Sequence, residues 1–487
     1  MLMRAFAVTL SMAVLLTLLL PIVQDVSFEP EYFAWSLLFS VPIGLSVFMG
    51  GLGYGTVQPP NCVLVSVALW TSLMAPSFIL EHQYVHLGLS YSPEAVTIGR
   101  WLFVLWSFVF VLSAGRAPQA QARVAPNTID VLSIVIPIGL ALTHLLIRGR
   151  FTNYQGIKAD GPASFDLVVA TIVGKNALMC LPGFALYTAL MAQSERLRFI
   201  ARVAMLPSIA LLVLTGGRSG IAYAVGIAFM FARYSALRLR LRWTVPVLLA
   251  VPAFFLLIFT YRTSLLASSN ETASLGQLTT IASDATNNLA RDDEQRALAM
   301  SSLSENLRVR LAMGPQYFAV VEGWLANGAM LEGTFQSGLL TMLPSFLFPG
   351  KNAIAADTNF ETALLRTGRF PYSDLAPTPW MQWLFELGFL GIILGALFYG
   401  GVVRFMERRI VATTSIFQLF GLAYVLSNVL SAESTTDALV LVGRDAVLIA
   451  LCSKLISLFM HGAIAVRDAR AAAAAQRARM PDFKALR

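Results

Sequence analysis

Charge is scarce in this sequence: only 13% of its 487 residues are Asp, Glu, Lys or Arg, about half the roughly 25% usual in soluble domains. With 57% apolar residues and a mean hydropathy of +0.69, a soluble fold would have to hide more apolar surface than a domain of this size can bury. The chain therefore reads as an all-α polytopic membrane protein. Cysteine is scarcer still. Cys62, Cys180 and Cys452 lie far apart and form no C-x-x-C pair, which argues against a disulfide framework or a zinc cluster. Their expected role is as small apolar packing residues. Among the 4 histidines, only His82 and His86, after Glu81, stand at helical spacing, with no third or fourth ligand in view. The sequence also lacks HExxH, a Walker-type glycine loop, a D-x-D pair and a Ser–His–Asp order. No metal site and no cofactor are expected, and ATP- or nucleotide-sugar-driven chemistry is not indicated. The net charge of +8 is dispersed along membrane boundaries, so nucleic acid is not an expected partner; membrane lipids are.

About 20 apolar residues cross a bilayer as a helix. Twelve such runs are expected, near 5–23, 33–50, 61–80, 98–114, 129–147, 166–191, 199–215, 219–232, 243–260, 380–403, 411–430 and 437–460. The first is longer than a secretory apolar core, which is about 7–15 residues, and no small-x-small site follows, so it is expected to be retained. Lys and Arg stay on the cytoplasmic side. Placing both termini there collects Arg4, Arg116, Arg123, Arg196, Arg198, Arg202, Arg233, Arg238, Arg240, Arg242, Arg404, Arg408 and Arg409 on one face, together with the basic tail.

The expected divisions are 1–260 (helices 1–9), 261–379 (one long non-cytoplasmic loop), 380–460 (helices 10–12) and 461–487 (a basic cytoplasmic tail against anionic headgroups). The loop carries more acid than base. Its first half is polar, and its second half is amphipathic and punctuated by turns. The piece 335–348 is too short to span and reads as interfacial or re-entrant. A loop this long suits a lid over a membrane-embedded site.

Ionisable residues at membrane depth are costly and mark candidate sites. Here they are Lys175, Glu386, Arg444, Asp445 and Lys454; Arg444 and Asp445 read as an ion pair, and Lys454 as a snorkelling residue. Arg218 lies in LTGGRSG (214–220), where glycines permit a tight turn and a guanidinium can grip phosphate oxygens bidentately. Arg262, the pair Arg308 and Arg310, and the pair Arg366 and Arg369 are further cations on that side. Each has an ion pair with Glu305, Glu361 or Asp374 as its alternative.

Three segments, LTGGRSG (214–220), LPSFLFPGKN (343–352) and TPWMQWLFELGFLG (378–391), resemble in order and spacing the signatures of Wzy-type O-antigen or oligosaccharide repeat-unit polymerases, a group that also holds the O-antigen ligases. The likeness covers residues 200–400. It implies a bacterial inner-membrane glycosyltransferase with a periplasmic site and a polyprenyl-diphosphate-linked glycan as both donor and acceptor. Neither metal nor nucleotide is implied, and there is room for a chain-length regulator as partner. The family's turn arginine maps onto Arg218, and its loop arginine onto Arg308 or Arg310. The ligases' His-Asn pair falls on Pro377 and Thr378, although Glu386 and Gly388 match. That departure favours polymerase over ligase and leaves the base open among Asp374, Asp357 and Glu361, with Glu386 as an orienting or packing residue. Arg218, Arg308, Arg310, Arg262, Arg366, Arg369 and Lys175 are the candidate diphosphate ligands. The competing readings are a ligase-type glycan transferase and a secondary transporter or lipid-linked glycan flippase.

Overall fold

The computed structural model describes residues 2–23, 30–51, 62–79, 89, 91–116, 124–151, 165–215, 224, 226–228, 230–231, 260–261, 275–291, 297, 301, 313–342, 348, 350–370, 377–429 and 435–479. These are predominantly helical, without strands. In chain order the helices are α1 (Leu2–Val23), α2 (Pro30–Ser46), α3 (Cys62–Ile79), α4 (Pro93–Ala114), α5 (Thr128–Ile147), α6 (Phe165–Ala170), α7 (Leu181–Met191) and α8 (Glu195–Leu214). Then come α9 (Leu275–Arg291), α10 (Met313–Asn327), α11 (Thr334–Met342), α12 (Lys351–Asp357), α13 (Phe360–Arg366), α14 (Pro379–Ala412), α15 (Ile416–Val429) and α16 (Thr436–Arg479).

Among the described residues, 6 helices are long and apolar enough to cross a membrane, or 7 if the bent pair Phe165–Asn176 and Leu181–Met191 is one span. This is the build of a multi-pass membrane protein. The runs expected at 5–23, 61–80 and 411–430 correspond to shorter apolar helices. More than half of the run at 219–232, and all but one residue of that at 243–260, lie outside the described residues.

Local chemistry sets several helix starts. Ser92 caps α4 by accepting the Ala95 N–H, with Pro93 in the first turn. Asn127 and Asp130 form a reciprocal capping box on α5, and Thr378 caps α14 ahead of Pro379. Each pairs backbone N–H groups that the first helical turn leaves without intrahelical acceptors.

The core centres on aromatic side chains of α3, α4 and α14. Trp380 is fully buried and lies 5.5 Å from Trp70 and 5.2 Å from Phe103, ring centre to ring centre. Trp106 lies 5.9 Å from Tyr399. Rings in tilted and edge-on pairs at these separations add to the packing of a dry interior.

The sequence pattern suggests one straight span at 380–403, but α14 is broken. Gly388 has φ +61 and ψ −143, far from helical values, a conformation that only glycine adopts easily. A Cβ on Gly391 would run into the Trp383 carbonyl, and one on Gly395 would stand 2.5 Å from both the Trp383 and Trp106 rings. The chain thus doubles back: a short first limb, 379–387, lies against a long second limb, 389–412. Glycines at 388, 391 and 395 let the limbs approach closely, as small residues do between membrane helices. The second limb runs parallel to α4, with Tyr399 beside Trp106, Gly400 against Phe110 and Ser113, and Arg404 beside Gly115. The Ser92 end of α4 and the Gly388 turn therefore share one end of the bundle.

Candidate functional site

Loop helix α10 and the start of α11 meet the bundle at that shared end. Helix α10 is buried on nearly every side from Met313 to Gly323, and its Phe318 stands so close to Gly99 of α4 that a Cβ there would meet it at 2.8 Å. One turn further along α10, the Glu322 carboxylate accepts the Ser92 hydroxyl at 2.6 Å and the Ser92 N–H at 2.9 Å. These two bonds, with Arg369 nearby, hold the Glu322 carboxyl below the usual carboxylate range against the upward push of burial. Arg369 also borders a cavity of about 10 Å³ with Trp324, Met330 and Phe385, room for about one water molecule.

The first limb of α14 presents Gln382 and Glu386 to the segment that follows α10. Glu386 is 3% exposed, and its two oxygens accept the N–H groups of Gly333 at 3.1 Å and Thr334 at 2.5 Å. A carboxylate at this place caps α11 and faces the positive end of its dipole. Gln382 accepts the Thr436 N–H at 2.8 Å and donates to the Thr334 hydroxyl at 3.1 Å, joining the first turns of α11 and α16. Trp383 Nε1 donates to the Thr436 hydroxyl at 2.9 Å. The Phe385 carbonyl, cut off from its helical donor by the break at Gly388, accepts the Met330 N–H at 2.9 Å. The side chains of Gln382, Trp383 and Glu386 are thus paired between elements, as buried polar groups in a dry interior generally are.

A second polar group lies on α16, against which α11 packs. Asp445 is buried and accepts Arg444 Nη2 at 2.8 Å and Asn176 Nδ2 at 2.8 Å. The sequence already suggested the first of these as an ion pair; Asn176 is an addition. Lys351, the lysine of LPSFLFPGKN, is buried at the first turn of α12. Burial, and next the nearby Arg444 guanidinium, hold its ammonium below the usual lysine range. Sequence reasoning did not single out Lys351. The available signal was its place after the Pro-Gly turn of a signature segment.

The sequence candidates lie in several different places. Glu386 sits at the centre of the polar network, and Arg369 beside Glu322 and Gly323. Arg366 and Asp357 form an exposed ion pair with each other, and Arg366 also donates to the Asp357 carbonyl at 2.8 Å. Glu361 stands in the first turn of α13, half-buried. Lys175 lies apart from these, in the π-helical break Thr171–Asn176, within electrostatic range of Arg150. Arg218, Arg262, Arg308, Arg310 and Asp374 lie outside the described residues. Among the described residues, no group of three His, Cys, Asp or Glu side chains is close enough to hold a metal ion.

Chemically, the centre of this arrangement positions rather than reacts. Both Glu386 oxygens are engaged by backbone donors, which fixes the loop against the bundle. The cations at its margin are Arg369, beside Glu322, and Lys351, near the Arg444–Asp445 ion pair. Set against family models, curated proteins and solved structures, the chain matches none.

Proposed function

We propose that the chain is a membrane glycosyltransferase that joins polyprenyl-diphosphate-linked oligosaccharide units, of the kind used for O-antigen or related surface polysaccharides. One observation supports this reading above the others. The closing segment folds into a limb whose Gln382 and Glu386 hold the loop at Gly333 and Thr334, and Lys351 of the middle segment is buried in the same loop, near Arg444 of the helix against which α11 packs. A loop pinned in this way suits a lid over a site for a lipid-borne anion.

In the proposed topology, twelve spans cross a bacterial inner membrane, both termini are cytoplasmic, and 261–379 faces the periplasm. An acceptor hydroxyl attacks the anomeric carbon of the donor sugar. The new C–O bond forms as the bond from that carbon to the diphosphate oxygen breaks, and polyprenyl diphosphate leaves. Arg218, with Arg308 or Arg310, holds the charge growing on the leaving group. The hydroxyl proton passes to a carboxylate, Asp374 or Glu361, or to water; Asp357, tied to Arg366, is the weaker choice.

A transporter or flippase is the second reading, favoured by the 50° break between Phe165–Asn176 and Leu181–Met191 with Lys175 beside it, since discontinuous helices build transport sites. Cells lacking the chain separate these readings. Loss of a polymerase leaves single repeat units on the finished glycolipid, and loss of a ligase leaves polymer on its lipid carrier. Loss of a flippase leaves repeat units at the cytoplasmic face.

A further inference from the structure

At the end of the bundle far from the Gly388 turn, a groove of about 690 Å³ opens between the end of α14, α15 and α16. This falls within the roughly 300–1,000 Å³ of small-molecule sites, and its wall changes character along its length. Around the turn from α14 to α15 it is polar, with Arg409, Thr414 and Gln418; beyond that it is apolar, with Leu422 and Val425 on α15 and Val447 on α16. From Gln418 to Val425 is two helical turns, about 10 Å. Small residues leave this space: Gly421 packs against Ala446, and a Cβ on Gly443 would meet nothing within 4 Å. Arg409 is exposed, with its guanidinium 5.2 Å from the Phe405 ring centre, and it lies in the last turn of α14. Arg408, its neighbour in sequence, is also exposed.

We infer that this groove binds an anionic phospholipid, with the headgroup phosphate at Arg409 and the upper part of one acyl chain along α15 and α16. The polar-to-apolar gradient matches a molecule with a charged head and a hydrocarbon tail. A cation at the polar end selects a negative head over a zwitterionic one, as basic pockets between membrane helices do. The site is separate from the network around Glu386 and does not depend on the proposed transfer reaction.

The test is native mass spectrometry of the full-length protein, purified in mild detergent, stripped of lipid and then incubated with phosphatidylglycerol, phosphatidylcholine or inorganic phosphate. The unaltered protein should retain phosphatidylglycerol over phosphatidylcholine by a factor on the order of five, the contribution of one arginine near a membrane surface. Arg409→Gln should bring the two lipids level, and Arg409→Lys should keep the preference. Gly443→Leu, whose side chain enters open space, should cut retention of both lipids. Equal retention of the two lipids by the unaltered protein would overturn the inference, as would Gly443→Leu binding normally. Displacement of the lipid by inorganic phosphate at equal concentration would also overturn it, because a phosphate site alone would then suffice.

Discussion

The Glu386 carboxylate accepts the Gly333 N–H at 3.1 Å across 53 residues of chain, and through this bond and its twin to Thr334 a membrane helix caps a helix of the long loop. Gly333 itself has φ +73, a left-handed conformation that delivers the chain into the first turn of α11. The carboxylate was legible in the sequence as a costly charge at membrane depth and as half of a Glu-x-Gly match; its partners were not.

Removing that cap should loosen the loop. Glu386→Ala leaves the buried Thr334 N–H without an acceptor, a cost of about 1–3 kcal/mol, and frees the partly buried Gly333 N–H as well, whereas Glu386→Gln retains one acceptor and should fall between. Hydrogen exchange at 333–336 should quicken in the order Gln then Ala, with a parallel fall in melting temperature. Unchanged exchange in the alanine variant would show that the cap does not hold α11.

The doubled-back α14 makes a sharp distinction among its glycines. Gly391→Ala drives a methyl group into the Trp383 carbonyl, and Gly388→Ala adds a contact 2.6 Å from Trp324 Nε1 at a positive φ. Backbone collisions of this kind belong with the largest single-residue losses, above about 4 kcal/mol. Gly401→Ala, on the same helix with nothing within 4 Å, should be tolerated. The yield of monodisperse protein on gel filtration checks all three, and a well-folded Gly391→Ala variant would contradict the fold-back.

Glu322 should make stability depend on pH in one direction. Its folded carboxyl titrates below the usual range because Ser92 donates to it twice. A depressed folded value stabilises fully above the unfolded carboxylate value of about 4.3, and the contribution fades as pH falls through the folded value. The melting-temperature gap between the unaltered protein and Glu322→Gln should therefore be present at pH 7 and close below pH 4. A gap that widens on acidification would reverse the sign of this account.

Arg218 carries the proposed chemistry. Lysine offers a point charge without the planar fork of arginine, so Arg218→Lys should lose most glycan elongation and Arg218→Ala nearly all. A contact of this kind is worth about 3–4 kcal/mol, or roughly 100- to 1000-fold in rate. Glycan length on gels, set beside the amount of folded membrane protein, measures it. Normal polymer from Arg218→Ala at normal expression would leave the residue as a headgroup anchor.

Hydropathy and charge made the all-α, multi-pass character readable, because a helix that crosses lipid must be apolar along its length. They also placed the helices at Pro93–Ala114, Thr128–Ile147 and Glu195–Leu214 close to the expected runs. The break in α14 was hidden for a physical reason. Leu387, Phe389 and Leu390 are as apolar as any continuous span, and Gly388 is one glycine among several, so composition carries no sign of a reversal. The Pro-Gly turn before Lys351 was visible, but the nearness of Lys351 to Arg444 depends on α11 packing against α16, a contact between residues distant in sequence. The mutual pairing of Arg366 and Asp357 was missed because nine residues separate them across the junction of α12 and α13, where helical spacing rules no longer apply.

The most direct test of the glycosyltransferase reading is elongation by the purified protein in proteoliposomes supplied only with polyprenyl-diphosphate-linked repeat units, in the presence of EDTA. The account predicts a ladder of lengthening glycans, with one polyprenyl diphosphate released for each unit joined. Repeat units that cross the bilayer unchanged, or elongation that EDTA abolishes and a divalent ion restores, would contradict it.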